Sequence, residues 1–120
     1  METYKMGAVE SRFADLVWKH EPIGSGELVR LAGRELNWKK STVYTVIKKL
    51  CDKGIFRNEN SVVTSVISRD QYLARQSRQF VADTFEGSLP GFLAAFAKEE
   101  ALSEEEIAQI QKLIDGMAIP

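Results

Sequence analysis

The chain has 120 residues, of which 44% are hydrophobic and 28% charged, with only 3 Pro. That balance excludes a disordered or low-complexity chain and fits about one domain, or two small ones. The formal net charge is −1, and one cysteine and one histidine leave no material for a disulfide framework, a Cys-rich metal site or a His-based triad.

The first predicted element is an amphipathic helix over about residues 7–20. Val9, Phe13, Leu16 and Val17 recur at helical spacing there, with Trp18 beside them. Glu21-Pro22-Ile23-Gly24 breaks it. Ser25 is an N-cap candidate for a short second helix carrying Leu28, Val29 and Leu31, which Gly33 is expected to end or loosen. A third helix is predicted over Lys40 to Lys53. Val43, Val46, Ile47 and Leu50 form its buried stripe, and Gly54 follows as a C′ glycine.

Residues 55–57 and 61–67 read as two short strands, with Asn58-Glu59-Asn60 as the turn between them. Three helices followed by a β-hairpin is the order of a winged helix-turn-helix. The rest is helical again. Residues 69–85 carry Tyr72, Leu73, Phe80, Val81 and Phe85, and Gly87-Ser88-Leu89-Pro90 breaks that helix. Pro90 suits the first turn of the next helix, which carries Phe92, Leu93 and Phe96. Ser103 and Glu106 make a capping box before Ile107, Ile110, Leu113 and Ile114. The expected class is mainly α with a small β-hairpin wing. Residues 1–68 form a winged helix-turn-helix and residues 69–120 a helical dimerisation region.

Charge follows the same division. Residues 1–68 hold eleven Lys/Arg against eight Asp/Glu, whereas residues 69–120 hold five against nine. Within residues 38–57, six cations face one anion, Asp52. A local surplus of that kind suits a polyanionic partner, and a solvated lysine-rich helix face is the plain alternative. In a helix-turn-helix the second helix of the motif enters the major groove. Short polar side chains there reach base edges and cations reach phosphates. On that division Ser41, Thr42, Tyr44 and Thr45 face bases, while Lys39, Lys40, Lys48, Lys49 and Arg57 face phosphates. The alternative for Tyr44 is a half-buried ring packed on the wing. Winged helices also dock proteins, so a docking module without DNA binding stays open, as does an effector-gated sensor.

The tail carries many apolar residues for three short helices: Tyr72, Phe80, Phe85, Leu89, Phe92, Leu93, Phe96, Ile107, Ile110, Leu113 and Ile114. A small unit removes too little surface from water to hide them all, so a second copy of the chain is the expected partner. Cys51 reads as a small buried hydrophobe, with a redox switch as the alternative. His20 reads as a partner of its helix's C-terminal end.

Trp38-Lys-Lys-Ser-Thr42-Val43-Tyr-Thr45-Val-Ile-Lys-Lys49-Leu50-Cys-Asp-Lys53-Gly54 resembles the recognition-helix signature of the penicillinase-repressor (BlaI/MecI/CopY) family. Glu10 to Trp18, the stretch from Tyr72, and Gly87-Ser88-Leu89 leading to Leu102–Ile107 are similar too, so the resemblance covers about residues 7–117. It implies a homodimeric repressor that binds a palindromic operator, with an inducing protease or antirepressor as a further partner. The chain departs from the family in three places. It has no Cys-x-Cys pair near the C-terminus, so copper or zinc sensing is not implied. Ala95-Phe96 stands where some members carry a cleaved Asn-Phe bond, and Phe96 as a core or dimer residue is the alternative. The wing lacks the family's Gly-Arg turn, Tyr-x-Tyr and Pro.

No Gly-rich phosphate loop and no Gly-x-Ser-x-Gly elbow is present, so neither an enzyme nor a cofactor is expected. The longest uncharged apolar-rich run, residues 89–97, is far short of the ~18 residues that a membrane span needs. Met1-Glu2-Thr3-Tyr4-Lys5 lacks the layout of a secretory signal, and a cytoplasmic setting without membrane contact is expected.

Overall fold

The computed structural model describes residues 5–117. The element order is α1 (Ala8–His20), β1 (Ile23–Gly24), α2 (Ser25–Leu36), α3 (Lys40–Asp52), β2 (Phe56–Glu59), β3 (Val62–Ser65), α4 (Arg69–Phe85), α5 (Leu89–Glu99) and α6 (Glu104–Asp115). The three strands form one antiparallel sheet in the order β1-β3-β2. The class is mainly α with a small β wing, as the sequence predicts. The chain divides into two compact units, with the division between Gln79 and Phe80, inside α4.

The first unit is built around one core. Phe13 and Val17 of α1, Leu28 of α2, and Val43, Ile47 and Leu50 of α3 meet Ile55, Phe56, Val63 and Ile67 from the sheet side. The stripe predicted on α3 is the buried one, except that Val46 is only half-buried at its edge. Trp18 packs on Phe56 and Tyr72, and its indole N–H donates to the Ile67 carbonyl at 3.0 Å. Glu21 closes the corner after α1, where its carboxylate accepts the Ser65 amide at 2.7 Å.

Several local expectations shift. Ser25 does not cap α2. Gly24 holds the N-cap position in extended backbone, and Ser25 is the first helical residue, buried. Gly33 does not end α2, which runs on to Leu36 and closes at Asn37 in the left-handed region, φ 59°. Asparagine tolerates that region better than most residues, and it supplies the sharp turn between α2 and α3. The hairpin turn is not Asn58-Glu59-Asn60. Glu59 pairs with Val62, leaving Asn60 and Ser61 as a two-residue loop with φ 54° and 62°. Two positive φ values in a two-residue hairpin loop are what the strand twist requires. Strand β1 is an addition: Ile23 pairs with Val63 and Gly24 with Val62.

In the second unit α5 opens with Ser88 as N-cap, whose hydroxyl accepts the Gly91 amide at 2.9 Å, and Pro90 sits in the first turn. The capping box of α6 is present: Ser103 Oγ accepts the Glu106 amide, and Glu106 accepts the Ser103 amide. Phe80, Phe85, Phe92 and Phe96 form a chain of ring contacts at 5.5–6.0 Å. None of the described residues after Tyr72 is buried.

Candidate nucleic-acid interface

Helix α3 follows α2 after the three residues Asn37-Trp38-Lys39. Trp38 fixes its entry by stacking on Phe13, with centroids 5.1 Å apart and the rings 12° from parallel. Its N-cap position is Lys39, without a side-chain cap, and no acidic residue lies in its first turn. The first amides of a helix are unsatisfied donors at the positive end of its dipole. With Lys39 and Lys40 exposed beside them, this end of α3 is strongly anion-attracting.

Ser41, Thr45 and Lys48 recur at four- and three-residue spacing and share the solvent face opposite Val43, Ile47 and Leu50. Thr42 is also exposed and flanks this face. Lys48 pairs with Asp52 at 3.2 Å, one turn on, and both side chains are largely in water. Such a pair is worth little and yields readily to a phosphate.

Lys49 does not share that face. Its ammonium lies 3.1 Å from Glu10 on α1, and Lys53 reaches the same carboxylate at 3.1 Å. The Gly7 amide donates to Glu10 as well, at 3.2 Å. Burial by itself would push the Glu10 carboxyl up, but the hydrogen bonds from Lys49, Lys53 and Gly7 outweigh it and hold the carboxyl below its ordinary value. The ion pair with Glu10 therefore ties the Lys49 flank of α3 to α1, a turn of about 100° away from Lys48.

Tyr44 lies to the other side. The residue is 39% exposed and its hydroxyl donates to Ser25 Oγ at 3.4 Å. A shallow cleft beside it is lined by Tyr44, Ile47, Lys48, Cys51 and Asn58. Cys51 is half-buried against the core, and burial with the Asp52 charge pushes its thiol up.

The hairpin sorts its side chains by alternation. Phe56 is buried and Asn58, two residues on, borders the α3 cleft. Arg57 is exposed and paired across the strands with Thr64, so it lies on the opposite sheet face from α3. Sequence reasoning missed Asn58 as a neighbour of α3, although its two-residue spacing from Phe56 carries the signal.

The expected dimerisation residues divide as well. Tyr72 is buried beside Trp18 in the first unit and takes no part in an apolar face. Phe80, Leu89, Phe96, Ile107, Leu113 and Ile114 are exposed, while Phe85, Phe92, Leu93 and Ile110 are half-buried. Ala95 and Phe96 both lie exposed on α5, so Phe96 is not a core residue of the single chain. His20 ends α1, with Nδ1 donating to the Leu16 carbonyl at 3.1 Å. Among the described residues no group of three or more His, Cys, Asp or Glu could hold a metal ion, and no helix is long and apolar enough to cross a membrane.

Comparison with known proteins agrees with this architecture. The family described as Penicillinase repressor matches residues 6–116. The penicillinase repressor of Bacillus licheniformis is 24% identical over 104 residues, covering 83% of this chain and 81% of its own. The methicillin resistance regulatory protein MecI of Mammaliicoccus sciuri is 19% identical over 118 residues, covering 95% of this chain and 96% of its own. From the first helix to the end of the last, this chain belongs to the penicillinase repressor family.

Proposed function

We propose that this chain is a dimeric, sequence-specific transcriptional repressor that sets α3 in the major groove of a palindromic operator, one half-site per protomer. Members of the penicillinase repressor family are transcription regulators and not enzymes. The observation that carries the finer reading is the sorting of α3: one face sealed into the core, the other presenting Ser41, Thr45 and Lys48 behind an uncapped, lysine-flanked N-terminus.

In this reading Ser41, Thr42 and Thr45 meet base edges, where a hydroxyl can donate or accept and a methyl can touch thymine. Lys39, Lys40 and Lys48 meet phosphates and fix the register. Lys49 holds the flank of α3 to α1 through Glu10, and Arg57 contributes only where DNA reaches the far face of the wing. The exposed apolar face of α5 and α6 is closed by the same face of a second copy. A two-fold pairing then sets two α3 helices about 34–36 Å apart, or a multiple of that, in successive major grooves.

The test is a salt titration of binding to promoter DNA upstream of the gene and its neighbours. Release of counterions predicts log K falling linearly with log salt, with a slope near −0.9 for each phosphate contacted. Binding to no promoter fragment at low salt, or salt-insensitive binding, would assign the winged helix to protein docking instead.

A further inference from the structure

Among the described residues Ser25 is the only buried polar one, 5% exposed. It sits at the first position of α2, where its side chain makes no cap to the helix. Two elements meet at this residue. Its hydroxyl accepts a hydrogen bond from Tyr44 of α3 at 3.4 Å. Its backbone N–H donates to the carbonyl of Ser61 at 2.8 Å. Ser61 is the second residue of the hairpin loop and has φ 62°, so the wing turn is held in a left-handed conformation next to this bond.

We infer that Tyr44 is a positioning residue: through Ser25 it sets the recognition helix against the wing turn, and its hydroxyl reads no base. The inference rests on the repressor reading above. The ion pairs that leave α3 run to α1, through Lys49, Lys53 and Glu10. Tyr44 runs the other way, to α2 and the wing. Were its hydroxyl to swing to a base, Ser25 Oγ would be left without that donor inside the fold. Losing that donor inside the fold costs free energy that a base contact would have to offset. The ring's exposed side stays available for apolar contact with the DNA. Apparent affinity for an operator scales with the fraction of molecules whose helix and wing are already in register. Loosening this tie therefore weakens specific binding while every base-reading side chain stays in place.

The test uses the full chain and a duplex selected by the wild-type protein from a random-sequence pool. Tyr44→Phe and Ser25→Ala should each weaken binding to that duplex roughly two- to tenfold. Random duplex should change less than twofold. The loss should be spread over all base positions, and the double substitution should be no worse than either single one. In the free protein, Tyr44→Phe should speed amide exchange at Ser25 and leave exchange at Leu50 in the core unchanged. A loss confined to one base position, with Ser25→Ala neutral, would make Tyr44 a base reader and overturn the inference. Additive losses would overturn it too. If the wild-type chain selects no sequence, the repressor reading fails. Exchange at Ser25 then decides alone: faster exchange in Tyr44→Phe supports the tie, and unchanged exchange overturns it.

Discussion

In the winged unit Phe13, Leu28 and Leu50 are sealed from solvent, whereas from Phe80 onward Leu89, Phe96 and Leu113 stand more than half exposed. Both regions obey the same helical patterning. The difference lies in what faces each stripe. Three helices and a sheet close around the first core, while no described residue of α5 or α6 is buried. Some helix starts differ as well. Ser88 and Ser103 cap α5 and α6, but α2 and α3 start at Gly24 and Lys39 without a side-chain cap. The first unit has a sealed core and one helix, α3, that starts without a side-chain cap beside exposed Lys39 and Lys40. The second has capped starts at Ser88 and Ser103 and leaves its apolar residues exposed.

The largest expected effect breaks the second half of that contrast. Leu113→Asp places a charge on an exposed position, so each chain should keep its helix content by circular dichroism. A charge between two chains should nonetheless split the dimer. Affinity for a two-half-site operator should then fall by about 100- to 10,000-fold, the usual gain from making the second contact intramolecular. Unchanged affinity and a surviving dimer would mean that the face of α6 is not the contact.

Next comes the open face of α3. Thr45→Ala should cost about 1–3 kcal/mol on the selected operator and relax preference at one position, while binding to random DNA stays the same. Equal losses on both duplexes would remove Thr45 from the base readers.

A finer cut separates two adjacent lysines. Lys48→Ala should lower the salt slope by about 0.9 and weaken all DNA alike. Lys49→Ala should leave the slope nearly unchanged and lower stability, because its charge serves Glu10. That node also gives a pH signature. The Glu10 carboxyl is held below its ordinary value, so its stabilisation is complete above the unfolded-state pKa and fades as pH falls through the folded one. The gap in melting temperature between wild type and Glu10→Gln should therefore be widest near neutrality and close in acid. A gap that widens in acid would contradict the clamp.

The smallest effect is at the wing. Ser61 holds φ 62° in a two-residue loop, a conformation that glycine adopts without strain. Ser61→Gly keeps the carbonyl that the Ser25 amide uses and should raise stability by about 0.5–1 kcal/mol in a denaturant titration.

Much of this was legible in the chain. The buried stripe of α3, the Ser103–Glu106 box and the helix-helix-helix-hairpin order follow from spacing and cap chemistry alone. What was not legible depends on contacts across the fold. Ser25 has the residue type of a cap, yet Gly24 takes the cap position and the serine is buried under Tyr44. Asn58-Glu59-Asn60 has turn composition, yet the Glu59–Val62 pairing moves the turn on to Asn60 and Ser61. Lys49 looks like one more cation of a basic helix until Glu10 arrives from α1, and Tyr72 like one more tail residue until Trp18 meets it. Among the expected site residues, those on the crest of α3 sit together, and those on its flanks turn to α1, α2 and the wing.

In the proposed repressor a second copy covers the exposed apolar residues after Phe80, and operator binding depends on it. Sedimentation equilibrium of the full chain at micromolar concentration, alone and with duplexes carrying one or two half-sites, tests this most directly. The expected result is a dimer in free solution, tight binding to the two-half-site duplex as one dimer, and weak binding to a single half-site. A monomer in free solution that binds one half-site as tightly as two would contradict it.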